Sequence, residues 1–215
     1  AKADHRERKP KKAKGKKGQL HGGPFDDGEG EECCYQVTAE GVAILPIMGT
    51  LVKRGAWMNS ASGLSSYEGL QAAFEDAFTN PQVKAVLFDI DSPGGDVNGL
   101  FDLTDLIFAA RGPKPIWAVA NDAAFSAAYT LASAADKIYV TRIGGAGSIG
   151  VIAAHLDMTK RDEENGLKYE IFRSGKFKAE GNSHESLTTH ARQAFQDRVD
   201  TVGELVINTV ARNRR

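Results

Sequence analysis

The sequence predicts an α/β domain built on a mostly parallel sheet. Three observations carry this. Apolar runs of strand length alternate along the chain with segments of helical periodicity, the pattern of strand–helix–strand units. The run Ala85–Ile90 is broken only by Asp89, which suits a central strand covered on both faces. A second apolar run begins at Ile116 and gives way to small residues that run into a helix, Ser126 to Ala135.

In chain order, Val42 to Met48 reads as the first strand, ending at Gly49. Lys53 to Ser66 is polar and rich in Gly and Ser, and reads as a loop. Between Tyr67 and Thr79, Leu70, Ala73, Phe74, Ala77 and Phe78 fall on one stripe, the spacing of an amphipathic helix, and Asn80-Pro81 stops it. After the strand Ala85–Ile90, the residues Asp91 to Asp96 read as a tight turn. Leu100, Leu103 and Ile107 mark a second helix. The strand at Ile116 and a helix from Ser126 to Ala135 follow, then a short strand Lys137–Thr141. Gly144 to Gly150 is a glycine-rich loop. Val151–His155 and Tyr169–Phe172 read as strands, with a short charged helix, Thr159–Asn165, between them. Leu187–Asn213 reads as a long amphipathic helix.

Composition bounds the class. The 215 residues are 41% hydrophobic with a net charge of −1, so an ordinary core is available and no global charge selects a partner. No apolar run approaches the roughly 18 residues of a membrane span, and no secretory signal is visible, so a cytoplasmic setting is expected. The two cysteines, Cys33 and Cys34, are adjacent; they suit neither a disulfide nor a zinc site, and no metal or cofactor is expected. Residues 1–32 read as a disordered charged tail: Lys2 to Lys17 holds nine Lys or Arg, and Asp26–Glu32 is acidic and glycine-rich. Nucleic-acid binding is expected only through that basic run, if at all.

The chemistry centres on Ser126. A serine at a strand-to-helix junction has first-turn N–H groups beside it that can stabilise an oxyanion; the plainer reading is an N-cap. Ser92-Pro93-Gly94-Gly95 follows a buried strand, and its glycines can present bare backbone N–H groups; the plainer reading is an ordinary loop. Histidine is a poor base here. His5 and His21 lie in the tail, His184 and His190 flank a polar loop, and His155 ends an apolar strand. Lys178 is the better base, although a lysine serves only when neutral. Its pKa must then fall by several units from about 10.4, each unit being about 1.4 kcal/mol. Read alone it is a surface lysine. Gly144–Gly150 lacks the endings of nucleotide-binding loops, but Ser148 within it can donate a hydrogen bond inside a site.

Four segments together resemble the signal peptide peptidase A family of serine peptidases, family 49. They are Asp91-Ser92-Pro93-Gly94-Gly95, the Ser126 junction running on to Ala134-Ala135-Asp136, Gly147-Ser148-Ile149-Gly150-Val151, and Ser174-Gly175-Lys176-Phe177-Lys178, in family order. Phe177-Lys178-Ala179-Glu180-Gly181-Asn182 and Val210-Ala211-Arg212-Asn213-Arg214 are similar to the phage head maturation branch. The resemblance implies a ClpP/crotonase-type spiral of ββα units over residues 33–215. It implies a Ser126–Lys178 dyad, an oxyanion held by the N–H of Gly95 with that of Gly94 or Ala127, and Ser148 orienting the lysine. It implies capsid or scaffold proteins as substrates and homo-oligomers with sites near subunit interfaces. A membrane-associated peptidase that degrades signal peptides, an acyl-CoA-processing crotonase relative and an inactive assembly protein are the alternatives. Ser126-Ala127 departs from the family's usual Ser-Gly, and relatives continue past the position of Arg215 with a segment that closes the domain.

Overall fold

The structure, a computed structural model, describes residues 19–21 (as backbone), 35–55 and 63–215. Its strands are β1 (Gln19–His21), β2 (Tyr35–Val37), β3 (Val42–Val52), β4 (Leu64–Ser66), β5 (Ala85–Gly95), β6 (Ile116–Phe125), β7 (Lys137–Val140) and β8 (Gly145–Gly147). Its helices are α1 (Tyr67–Thr79), α2 (Leu100–Ala109), α3 (Ala127–Ser133), α4 (Thr159–Glu164) and α5 (Thr189–Asn213). The sheet runs β1-β2-β3-β5-β6-β7, with β4 added to β3 and β8 to β6. The β1–β2 and β2–β3 pairs are antiparallel; the pairs β3–β4, β3–β5, β5–β6, β6–β7 and β6–β8 are parallel. This is the mostly parallel α/β arrangement expected. Apart from Gln19–His21, the charged tail lies outside the described residues, as do Cys33 and Cys34.

Several segments differ from the sequence expectation, among them the glycine-rich loop Gly144–Gly150, which contains β8. β3 does not stop at Gly49: it passes through a register irregularity between Met48 and Thr50 and continues to Val52. The polar loop after it contains β4, which Thr50 and Val52 hold in parallel register. Asp91–Gly95 is the continuation of β5, not a tight turn. Val151–His155 and Tyr169–Phe172 form no strand. Both are apolar runs without sheet neighbours, and a strand without a neighbour leaves its backbone N–H groups unpaired.

β5 alternates along its length, with Val86, Phe88, Ile90 and Ser92 buried and Leu87 and Asp89 only half-buried. Among the described residues, therefore, the expected cover on both faces is incomplete. α1, α2 and α3 pack over the buried side, where Phe74 stands 5.8 Å from Phe88 and stacks on Phe78. α1 starts where Ser66 Oγ accepts the Gly69 N–H, a side-chain cap. Small residues make up much of the packed side of α3. Ala127, Ala128, Ala132 and Ala134 are buried, which lets its backbone sit close over β5 and β6.

α5 is amphipathic as expected, yet only its C-terminal part reaches the core. Val206, Val210 and Asn213 are buried, while Phe195, Leu205 and Ile207 are exposed. Arg111 makes the attachment. Its guanidinium donates to the carbonyls of Ser133, Ala134 and Ala135 at the end of α3 and to that of Asn213 at the end of α5. Desolvation lowers the Arg111 pKa, and Asp136 offsets this in part. Cationic donors satisfy the orphan carbonyls of two helix C-termini at once. Replacing Arg111 by Met is expected to destabilise the fold by about 2–3 kcal/mol, because buried carbonyls lose charged donors. Faster amide exchange in the last turns of α5 is expected with it. An unchanged urea midpoint with unchanged exchange would contradict this.

Candidate active site

Ser126 sits between the end of β6 and the start of α3 with φ 51° and ψ −121°. That is a sparsely populated backbone conformation for a residue with a side chain. The neighbouring structure holds it there. The Ser126 N–H donates to the Gly147 carbonyl of β8 at 2.8 Å, and the Ser126 carbonyl accepts the Thr130 N–H at 3.0 Å. The hydroxyl caps nothing and makes no hydrogen bond among the described residues. The N-cap reading is therefore not the one the geometry supports. The side chain is half-buried, open to an incoming group. α3 is short, seven residues, so any help to a negative charge comes from individual N–H groups at its first turn rather than from a long helix dipole.

The end of β5 packs directly on this serine. A methyl group at Gly94 would stand 2.7 Å from Ser126 Cβ, 2.9 Å from the Phe125 carbonyl oxygen and 3.0 Å from the Ala127 nitrogen. Gly94 also has φ +102°, so glycine is required there on two counts. At Gly95 a methyl group would stand 2.0 Å from the Leu51 carbonyl oxygen. Tyr67, at the start of α1, fixes the next residue: its hydroxyl donates to the Asp96 carbonyl at 2.6 Å. Burial, and then the Asp96 charge, raise the pKa of that phenol, so it remains a donor.

Gly94, Gly95, Ser126 and Ala127 are thus collected at one place, and Ser148 adjoins it through Gly147. Ser148 itself has φ 54° and is exposed. Lys178 is not joined to them. It lies exposed in a turn, where its N–H donates to the Gly175 carbonyl, and its ammonium group makes no hydrogen bond or ion pair among the described residues. The region around it, residues 148–190, is held by its own contacts. His184 Nδ1 lies 2.7 Å from the buried carboxylate of Asp162, His190 Nδ1 lies 2.7 Å from Glu180, and His155 Nε2 lies 3.1 Å from the Asn182 carbonyl. Tyr169 stacks on His184 and Phe177 on His190. Hydrogen bonds from His190 and Thr188 hold Glu180 below the usual carboxylate range, and Arg173 does the same for Glu185. His155, His184 and His190 therefore tie down the lysine-bearing region, and none of the three hydrogen-bonds to Ser126. Among the described residues no group of three His, Cys, Asp or Glu could hold a metal ion. None of the described helices is long and apolar enough to cross a membrane.

Peptidase family S49 matches residues 109–215, about half of the chain, which includes Ser126, Ser148 and Lys178. The chain belongs to peptidase family S49. Across 177 residues, this S49 chain is 41% identical to the head-tail preconnector protein GP5 of Enterobacteria phage P21, covering 82% of this chain and 35% of that protein. It is 39% identical over 186 residues to the capsid assembly protease C of Escherichia phage lambda, covering 86% of this chain and 42% of that one. The chloroplastic serine protease SPPA of Arabidopsis thaliana is 32% identical over 127 residues, 54% of this chain and 19% of that protein. The S49 chain thus spans well under half the length of the two phage proteins. Of the solved structures, an enoyl-CoA hydratase from Polaromonas sp. JS666 is similar over 51% of this chain and 49% of that one, at 22% identity and a TM-score of 0.38.

Sequence reasoning missed two groups that build the site. One is the Gly147 carbonyl, which receives the Ser126 N–H. The other is the Ser92 side chain, buried beneath Gly94. The Ser126 backbone supplies a testable consequence. Strain at its φ is expected to vanish with glycine but not with alanine. Ser126→Gly is expected to be about 1 kcal/mol more stable than Ser126→Ala in denaturant unfolding. Equal stability of the two variants would show the backbone to be unstrained.

Proposed function

We propose that the chain is a serine endopeptidase module acting on capsid or scaffold proteins during phage head assembly. The observation that carries it is the Ser126 hydroxyl: unspent, half-buried, and set on a strained junction against the glycines that end β5. The similarity to the capsid assembly protease of phage lambda supports the substrate class. Ser126 Oγ attacks the scissile carbonyl while neutral Lys178 takes its proton. Backbone N–H groups of Gly95 and Ala127 receive the negative oxygen. The tetrahedral species collapses as Lys178 returns the proton to the leaving amine, leaving an acyl group on Ser126. Water, deprotonated by Lys178, then releases the acyl group and restores the serine.

Within one chain no hydrogen bond links Lys178 to Ser126, and the region bearing Lys178 leaves Ile152 and Phe172 more than nine-tenths exposed. Exposed apolar side chains of that size favour a protein neighbour. We infer a homo-oligomer in which Lys178 and Ser148 of one copy complete a site with Ser126 of another or draw the two groups together. Burial in that interface would also supply the desolvation that a neutral lysine needs. The unjoined lysine equally favours a second reading, an assembly protein without turnover.

Intact mass after a fluorophosphonate serine probe separates them. One adduct is expected on the wild type, and labelling slowed at least about 100-fold in Lys178→Ala and absent in Ser126→Ala. If the dyad spans copies, mixing the two inactive variants is expected to restore labelling. No adduct on an assembled wild type would leave the assembly reading.

A further inference from the structure

We propose that Ser92 is a positioning residue for the oxyanion N–H group, a role that rests on Ser126 being the nucleophile. Ser92 is fully buried inside the segment that ends β5. Its hydroxyl makes two hydrogen bonds that use it as a bridge. It donates to the Gly49 carbonyl at 2.6 Å and accepts the Gly94 N–H at 3.1 Å. Gly49 lies at the irregularity of β3, with φ +66°, and a methyl group there would stand 1.9 Å from the Gly63 carbonyl oxygen. The bridge therefore fastens Gly94 to a part of β3 that is itself wedged against the residue leading into β4.

Two consequences follow from this bridge. The Gly94 N–H is already engaged inside the protein, so it does not point at a substrate oxygen. The Asp96 N–H donates to Leu51 of β3 at 2.8 Å, and successive N–H groups of a strand point to opposite edges. The Gly95 N–H is thereby turned toward the other edge, the side on which β6 and Ser126 lie. Of the two glycine N–H groups, Gly95 carries the oxyanion and Gly94 is the fixed point that aims it. Pro93 contributes no N–H, so the Ser92 hydroxyl is the anchor for this stretch. A hydroxyl is suited to this bridge because it donates and accepts at one atom.

The test compares Ser92→Ala and Ser92→Thr with the wild type. A peptide substrate supplies kcat and KM, and exhaustive fluorophosphonate labelling counts competent sites. Per labelled site, Ser92→Ala is expected to lose about 10- to 100-fold in kcat with KM nearly unchanged, the scale of a misplaced oxyanion donor. The pH dependence of labelling is expected to stay in place, and Ser92→Thr to recover most of the loss. An unchanged kcat per labelled site, with loss only in the number of sites or in thermal stability, would overturn the proposal. The wild type supplies a second reading that needs no variant. In 15N-glycine-labelled protein, phosphonylation of Ser126 is expected to shift the Gly95 amide strongly and the Gly94 amide little; the reverse would overturn it. A wild type that takes no probe and cleaves nothing would instead remove the nucleophile on which the role depends.

Discussion

The candidate site depends on a close approach of two backbones. The end of β5 passes so near the β6–α3 junction on one side and β3 on the other that neither Gly94 nor Gly95 has room for a side chain. Carbonyls at Gly49 and Leu51 and the junction at Ser126 define that slot from different strands, so the parallel order β3-β5-β6 is what makes it. Ser126 is held at φ 51° because the Gly147 carbonyl of β8 and the first turn of α3 both claim its backbone. Backbone strain of this kind persists only where surrounding structure over-determines it, and it concentrates at functional sites. Here the strain leaves the hydroxyl without a structural partner.

The second feature is a division of labour within the chain. The sheet, with α1 to α3, is a packed unit whose interior is continuous. Residues 148–190 lie outside that core and rely on ion pairs, histidine contacts and aromatic stacking among themselves. α5 returns to the core only at its last turns, through Arg111 and the C-terminus of the same α3 that Ser126 precedes. Many of the exposed apolar residues, such as Ile152, Phe172 and Leu205, lie in the outer region and on α5.

Much of the central unit was legible in the sequence because local pattern and tertiary environment agree there. The helix Tyr67–Thr79 matches its apolar stripe and its stop signal, and the strand beginning at Ile116 gives way to a helix at Ser126. The motif at Ser92–Gly95 was visible as glycine-rich chemistry, but it read as a turn. Its extension as a strand depends on β3 lying alongside, a long-range pairing that no local signal carries. The same blindness explains the two strands expected at Val151–His155 and Tyr169–Phe172. These runs are apolar, yet none of their residues is fully buried, so the pattern signals burial that the described residues do not supply. Ser148 and Lys178 took their roles beside Ser126 from family likeness rather than from spacing; Ser148 adjoins the Ser126 junction through Gly147, but the geometry of one chain does not join Lys178 to it.

The most direct measurement is a crystal structure of the assembled protein after fluorophosphonate treatment. The account predicts phosphorus bonded to Ser126 Oγ. It also predicts a phosphonyl oxygen about 3 Å from the Gly95 nitrogen, and Lys178 Nζ beside the modified oxygen. An adduct on another serine, or a phosphonyl oxygen turned away from the end of β5, would contradict it.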